Sequence, residues 1–170
     1  MRHKAFKSTA HQGMQRLLAT FLAAGMVMFA SAVQATEQAP DLVQVTPSPL
    51  NFTDTLASFR KEVSNEGWSI LNENDMAGVL KQRGHDILPV TVIDVCSGQY
   101  SARILENDEY RPISAFMPCR VSIYEDRSGQ VYIARMNVPA FLPMLPSGAA
   151  RVMEESSVEI EAIIKRTVER

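Results

Sequence analysis

Arg120-Val-Ser-Ile-Tyr-Glu125, followed by Asp126-Arg-Ser-Gly129 and then Gln130-Val-Tyr-Ile-Ala-Arg135, is the stretch whose reading decides the fold. Both arms alternate apolar and polar residues, and in a strand alternation sends successive side chains to opposite faces. Val121 and Ile123 on one arm, and Val131 and Ile133 on the other, are thereby available to a single buried face. Asp126 and Gly129 are residue types that turns favour, so the stretch predicts an antiparallel hairpin covered on one side.

Toward the N-terminus, Val90-Thr-Val-Ile-Asp-Val95 is rich in β-branched residues and predicts a strand running into Cys96. Ser97-Gly98 then opens a short helix over 99–106, and an irregular stretch leads to Pro118-Cys119. Further back, Phe52, Leu56, Phe59 and Val63 form one apolar helical stripe. Asn51 caps that helix, with Asp54 three places on, and Gly67 closes it. Trp68-Ser-Ile-Leu71 predicts a short strand, and a second capped helix runs from Asp75 to Arg83 and stops at Gly84. Residues 36–50 hold Pro40, Pro47 and Pro49 and read as extended, with Leu42-Val-Gln-Val45 as an edge strand. Toward the C-terminus, Pro139, Pro143 and Pro146 predict an irregular loop over 139–146 that carries Phe141, Leu142, Met144 and Leu145. From Ser147 the chain reads as helix to its end, with a bend or break expected where Ser156 and Glu159 repeat the capping-box spacing.

This organisation resembles the bacterial family called domain of unknown function 302. The residues that carry the likeness are Glu66-Gly67-Trp68, Lys81-Gln-Arg-Gly84, the aliphatic strand ending in Cys96, and Met117-Pro-Cys-Arg120 leading into Val121-Ser-Ile-Tyr-Glu-Asp126 and Gly129. The likeness covers roughly residues 42–140 and, more loosely, the final helix. It implies an α+β fold: a curved antiparallel sheet of about four to five strands with helices packed on one face, grouped with the TATA-binding-protein-like folds. The family usually follows its first cysteine with Asn-Pro, whereas Cys96 is followed by Ser97-Gly98, so a site built on that Asn does not carry over. The resemblance implies no activity.

Residues 1–35 differ from the rest. They contain Arg2, Lys4, Lys7 and Arg16 but no acid, then an apolar run over 17–30, then small residues. Basic start, short apolar stretch and small-x-small ending are the parts of a secretory signal peptide, with cleavage after Ala32 or Ala35. The run is shorter than the roughly 20 apolar residues that a spanning helix needs. The expectation is therefore a leader over 1–35, an extended segment over 36–50 and one α+β domain over 42–168. In a Gram-negative bacterium the destination is the periplasm. No stable membrane insertion is expected after cleavage.

The whole chain has 170 residues, 17 Lys and Arg against 19 Asp and Glu, and a net charge of -2. Removing the leader's four bases leaves 13 against 19, a charge of -6 on 135 residues. An acidic domain disfavours nucleic acid, whose binding requires clustered bases at the phosphates.

Cys96 and Cys119 are the two cysteines, and an even count in an exported protein first suggests a disulfide. The same pair also reads as a redox dithiol or as soft-metal ligands, copper above all, with His85 and the methionines Met117, Met136 and Met144 as further donors. Cys-x-x-Cys spacing is absent, and two thiolates are too few for a closed zinc site. His85, after a helix-closing glycine, reads as a turn residue, and Asp94 as a strand residue on the solvated face. Glu154, Glu155, Glu159 and Glu161 read as the wet side of the last helix. No phosphate loop, no Gly-x-Ser-x-Gly elbow and no His-Glu-x-x-His occurs, so hydrolase chemistry is poorly supported and no cofactor is assigned.

These readings favour a small, exported, non-catalytic binding or accessory module. Its apolar groove would be lined by the 139–146 loop and flanked by Cys96 and Cys119, with Met117, Phe141 and Met144 as pocket residues. Its partner would be a small apolar ligand or an envelope protein, with self-association left open. The alternative is thiol-based redox or soft-metal handling through Cys96 and Cys119.

Overall fold

A computed structural model describes residues 41–169. The expected leader lies outside the described residues. Five strands form one open antiparallel sheet: β1 (Val43–Ser48), β2 (Ser69–Asp75), β3 (Val90–Cys96), β4 (Cys119–Glu125) and β5 (Val131–Met136), in the order β1-β5-β4-β3-β2. The helices are α1 (Phe52–Asn65), α2 (Met76–Lys81), α3 (Gly98–Leu105), α4 (Val138–Phe141) and α5 (Ser147–Val168). Among the described residues no helix is long and apolar enough to cross a membrane.

The hairpin expectation holds in detail. Ile123 faces Ile133 across β4 and β5, and Val121 pairs with Ile93 across β4 and β3. That register puts Ile93, Val95, Val121, Ile123, Val131 and Ile133 on one face, all buried. A slip of one residue would expose the whole set. Leu56, Phe59 and Val63 of α1 and Ile160, Ile163 and Ile164 of α5 cover that face, so the helices pack on one side as expected. At the hairpin tip, Gly129 takes a left-handed conformation at φ 83°, where a side chain is strained. Asn51 caps α1 by accepting from the Asp54 backbone N–H at 2.9 Å, and the stripe read from the sequence is the face α1 buries.

Two expectations about elements need correction. Residues 139–146 are not an irregular loop. They contain α4 and a 3-10 turn over Leu142–Met144, because Pro139 and Pro143 fall in first-turn positions where a missing N–H costs nothing. The last helix does not break at Ser156. α5 runs unbroken for 22 residues, and the Ser156 hydroxyl donates to the Met153 carbonyl at 2.9 Å, satisfied within the helix.

The N-terminal half of α5 covers a second apolar cluster, in which Val152 and Met153 meet Ile104 of α3 and Ile113 of a 3-10 turn over Arg111–Phe116. The chain thus has a main core under the sheet and a satellite core beside it. Candidate chemistry gathers where the two meet.

Candidate functional site

A cavity of about 440 Å³ opens between the Cys119 end of β4, the Met136 end of β5 and the middle of α5. Phe116, Met117 and Pro118 line it from the exit of the 3-10 turn, and Met136, Val138 and Pro139 from the passage between β5 and α4. Val121 and Ile160, both core residues, also contribute.

The polar residues of the lining are Gln44, Arg120, Arg135, Ser156, Ser157 and Glu161. Arg135, whose side chain is 10% exposed, donates through Nε to Glu161 Oε1 at 2.8 Å, and its Nη2 pairs with the other carboxylate oxygen. Its Nη1 donates to Thr46 Oγ1 at 2.6 Å. The two-pronged grip fixes the guanidinium plane and compensates its burial. Gln44 faces Arg135 across β1 and β5 and also lines the cavity, and its side-chain amide makes no hydrogen bond among the described residues. A half-buried amide with free donor and acceptor capacity, beside an already satisfied ion pair, is the natural contact for a polar atom of a bound molecule.

Met117, Pro118 and Cys119 are shared with a second, much smaller cavity of about 30 Å³ toward the satellite core. Cys96, Ser101, Met153, Trp68 and Tyr100 also line it. Cys96 Sγ and Ser101 Oγ lie 3.0 Å apart. Both cysteines are free, so the expected disulfide is not formed. β3 ends in Cys96 and β4 begins at Cys119, and both border the same small space. Burial pushes the Cys119 thiol up to about 11, and the neighbouring Cys96 adds to the shift. Such a thiol is protonated at neutral pH, which argues against Cys119 as an attacking thiolate.

Above this cavity, Glu159 of α5 accepts from Tyr100 Oη at 2.6 Å and from Trp68 Nε1 at 2.9 Å. The hydrogen bond to Glu159 is the main reason the Tyr100 hydroxyl is pushed up to about 12, since ionising it would place two anions together. One carboxylate therefore ties α5 to α3 and to the approach to β2.

Of the residues singled out from the sequence, the structure brings Cys96, Cys119 and Met117 together. Phe141 is not a lining residue; its ring sits against Phe116, with centroids 6.5 Å apart. Met144 is 69% exposed and lines neither cavity, a correction that follows from the 3-10 turn pointing it to solvent. His85 is exposed and joins neither cavity, and among the described residues no three His, Cys, Asp or Glu side chains converge to hold a metal ion. Asp94 is on the outer face as expected but only 7% exposed, because Arg120 covers it from the neighbouring strand at 2.9 Å. Glu159, read as wet surface, holds Trp68 and Tyr100, and Glu161, still 44% exposed, holds Arg135; Gln44, Arg135 and Met153 were not singled out at all.

The family model for a domain of unknown function, DUF302, matches residues 44–169, well over half of the chain. The chain belongs to the DUF302 family. Its fold is also that of a solved relative, an uncharacterized conserved DUF302 protein from Bacillus stearothermophilus, with a TM-score of 0.68 at 18% identity. The match covers 75% of this chain and 98% of that one. No curated protein matches the sequence. For this DUF302 domain, family membership supports the fold, and function has to be argued from the two cavities.

Proposed function

We propose that the chain is a small exported binding module, without catalysis of its own, that holds an amphipathic molecule in the 440 Å³ cavity. The observation that carries the reading is the lining: apolar walls on two sides and an amide, Gln44, that has no side-chain hydrogen bond among the described residues, beside the fixed Arg135–Glu161 pair. Ligand cavities of about 300–1,000 Å³ combine such walls with a few oriented polar groups. The apolar body of the ligand would lie between Phe116 and Val138 and its hydrogen-bonding end against Gln44. The basic, apolar and small-residue leader over 1–35 supports export, and in a Gram-negative cell the periplasm.

Val158 lines the cavity yet is 64% exposed, so it can be enlarged without disturbing the core. Titration with 1-anilinonaphthalene-8-sulfonate should show one saturable site in the native chain. Val158→Trp should weaken it by about tenfold or more by filling the mouth. Equal binding by both proteins, or none by either, contradicts the proposal.

A further inference from the structure

The sulfur-bearing side chains of the described residues are Cys96, Cys119, Met76, Met117, Met136, Met144 and Met153. Four of these seven, Cys96, Cys119, Met117 and Met153, line the single 30 Å³ cavity between the two cores. They reach it from four different elements: the end of β3, the start of β4, the exit of the 3-10 turn, and α5. No carboxylate or imidazole lines it, and its other polar side-chain groups are the hydroxyls of Ser97, Tyr100, Ser101 and Ser156 and the indole N–H of Trp68. Two thiols and two thioethers around a space about the size of one ion, without hard oxygen anions, make a donor set that discriminates strongly among metals. Thiolate and thioether select soft monovalent ions, whereas magnesium and calcium need carboxylates and zinc needs more thiolates or imidazoles.

We propose that this cavity is a binding site for a soft monovalent cation, Cu(I) or its analogue Ag(I), held by Cys96 and Cys119 with Met117 and Met153 completing the shell. The site is separate from the amphipathic-ligand cavity and stands or falls independently of it. Binding is ligand exchange with no change of oxidation state. The ion enters as Cu(I), both S–H bonds are broken, two Cu–S bonds form and two protons leave to solvent, while the thioethers donate lone pairs. Met117 and Cys119 border both cavities, so the metal and the amphipathic ligand would share a wall.

The test is anaerobic competition of the intact chain against the chromophoric chelator bicinchoninate loaded with Cu(I). One Cu(I) should move to each chain, with an affinity that rises with pH because protons are displaced. Cys96→Ser and Cys119→Ser should each lower the affinity by about a hundredfold, Met117→Leu and Met153→Leu by about tenfold, and His85→Ala should leave it unchanged. Copper K-edge absorption of the loaded native chain should show sulfur neighbours alone, which settles the matter even if a cysteine variant fails to fold. No transfer from bicinchoninate, transfer that survives both serine substitutions, or nitrogen neighbours in the absorption spectrum would overturn the proposal.

Discussion

Glu159 sets the strongest constraint at the scale of single residues, because its two oxygens are committed to two different donors. Glu159→Ala leaves the buried Trp68 indole N–H without a partner, and an unsatisfied buried donor costs about 1–3 kcal/mol. Urea unfolding should report a loss in that range, with Glu159→Gln losing less because its amide still offers one acceptor. Cys119 makes a second prediction, in pH. Its folded pKa of about 11 lies above the ordinary thiol value of 9.0, so the folded chain keeps a proton that the unfolded chain releases between those values. Stability attributable to Cys119 is full below pH 9 and declines as pH rises toward 11. The slope of unfolding free energy against pH in that window should be shallower in Cys119→Ala; an identical slope would contradict the assignment. Much of this scale was hidden in the sequence. The thiols and Met117 stood out by flanking strands, whereas Glu159 and Glu161 looked like solvated charges and Arg135 was read only as part of the hairpin. The pairing of the two glutamates depends on the phase of α5 against the sheet, which no local pattern states. A single tryptophan that needs an N–H partner when buried was the one available hint of a buried acceptor.

Among the elements, the hairpin was legible because alternation and turn chemistry are both local and agree with each other. Its tip gives a clean test. Gly129 has φ 83° and open space where a Cβ would stand, so the cost of a substitution is conformational and not steric. Gly129→Ala should destabilise by about 1–2 kcal/mol, and Gly129→Asn by less, since asparagine tolerates the left-handed region better. Equal costs in thermal unfolding would count against the turn geometry. The two elements misread from sequence share a cause. Ser156 with Glu159, and the prolines of 139–146, are genuine terminus signals, but each signal has a second use inside a helix or its first turn. Ser156 donates back to Met153, and Glu159 is drawn away to Trp68 and Tyr100. Tertiary partners, absent from a local reading, decided the outcome.

For the molecule as a whole, α+β class and one-sided helix packing followed from periodicity and from the family resemblance together. The cavities did not. They arise where the main core under α1 and the satellite core under α3 fail to merge, and their walls come from segments far apart in sequence: β1, the 3-10 turn, β4, β5 and α5. Seven of the residues from 115 to 121 line the larger cavity, which makes the approach to β4 the organising segment of both sites. The groove anticipated along 139–146 moved accordingly, to Val138 and Pro139 at one edge and α5 at the other. Native mass spectrometry of the chain isolated from its own cells tests the central claim most directly. The account predicts a small-molecule adduct on the native chain that is absent from Val158→Trp. A bare polypeptide mass for both proteins, or an adduct that Val158→Trp retains in full, would contradict it.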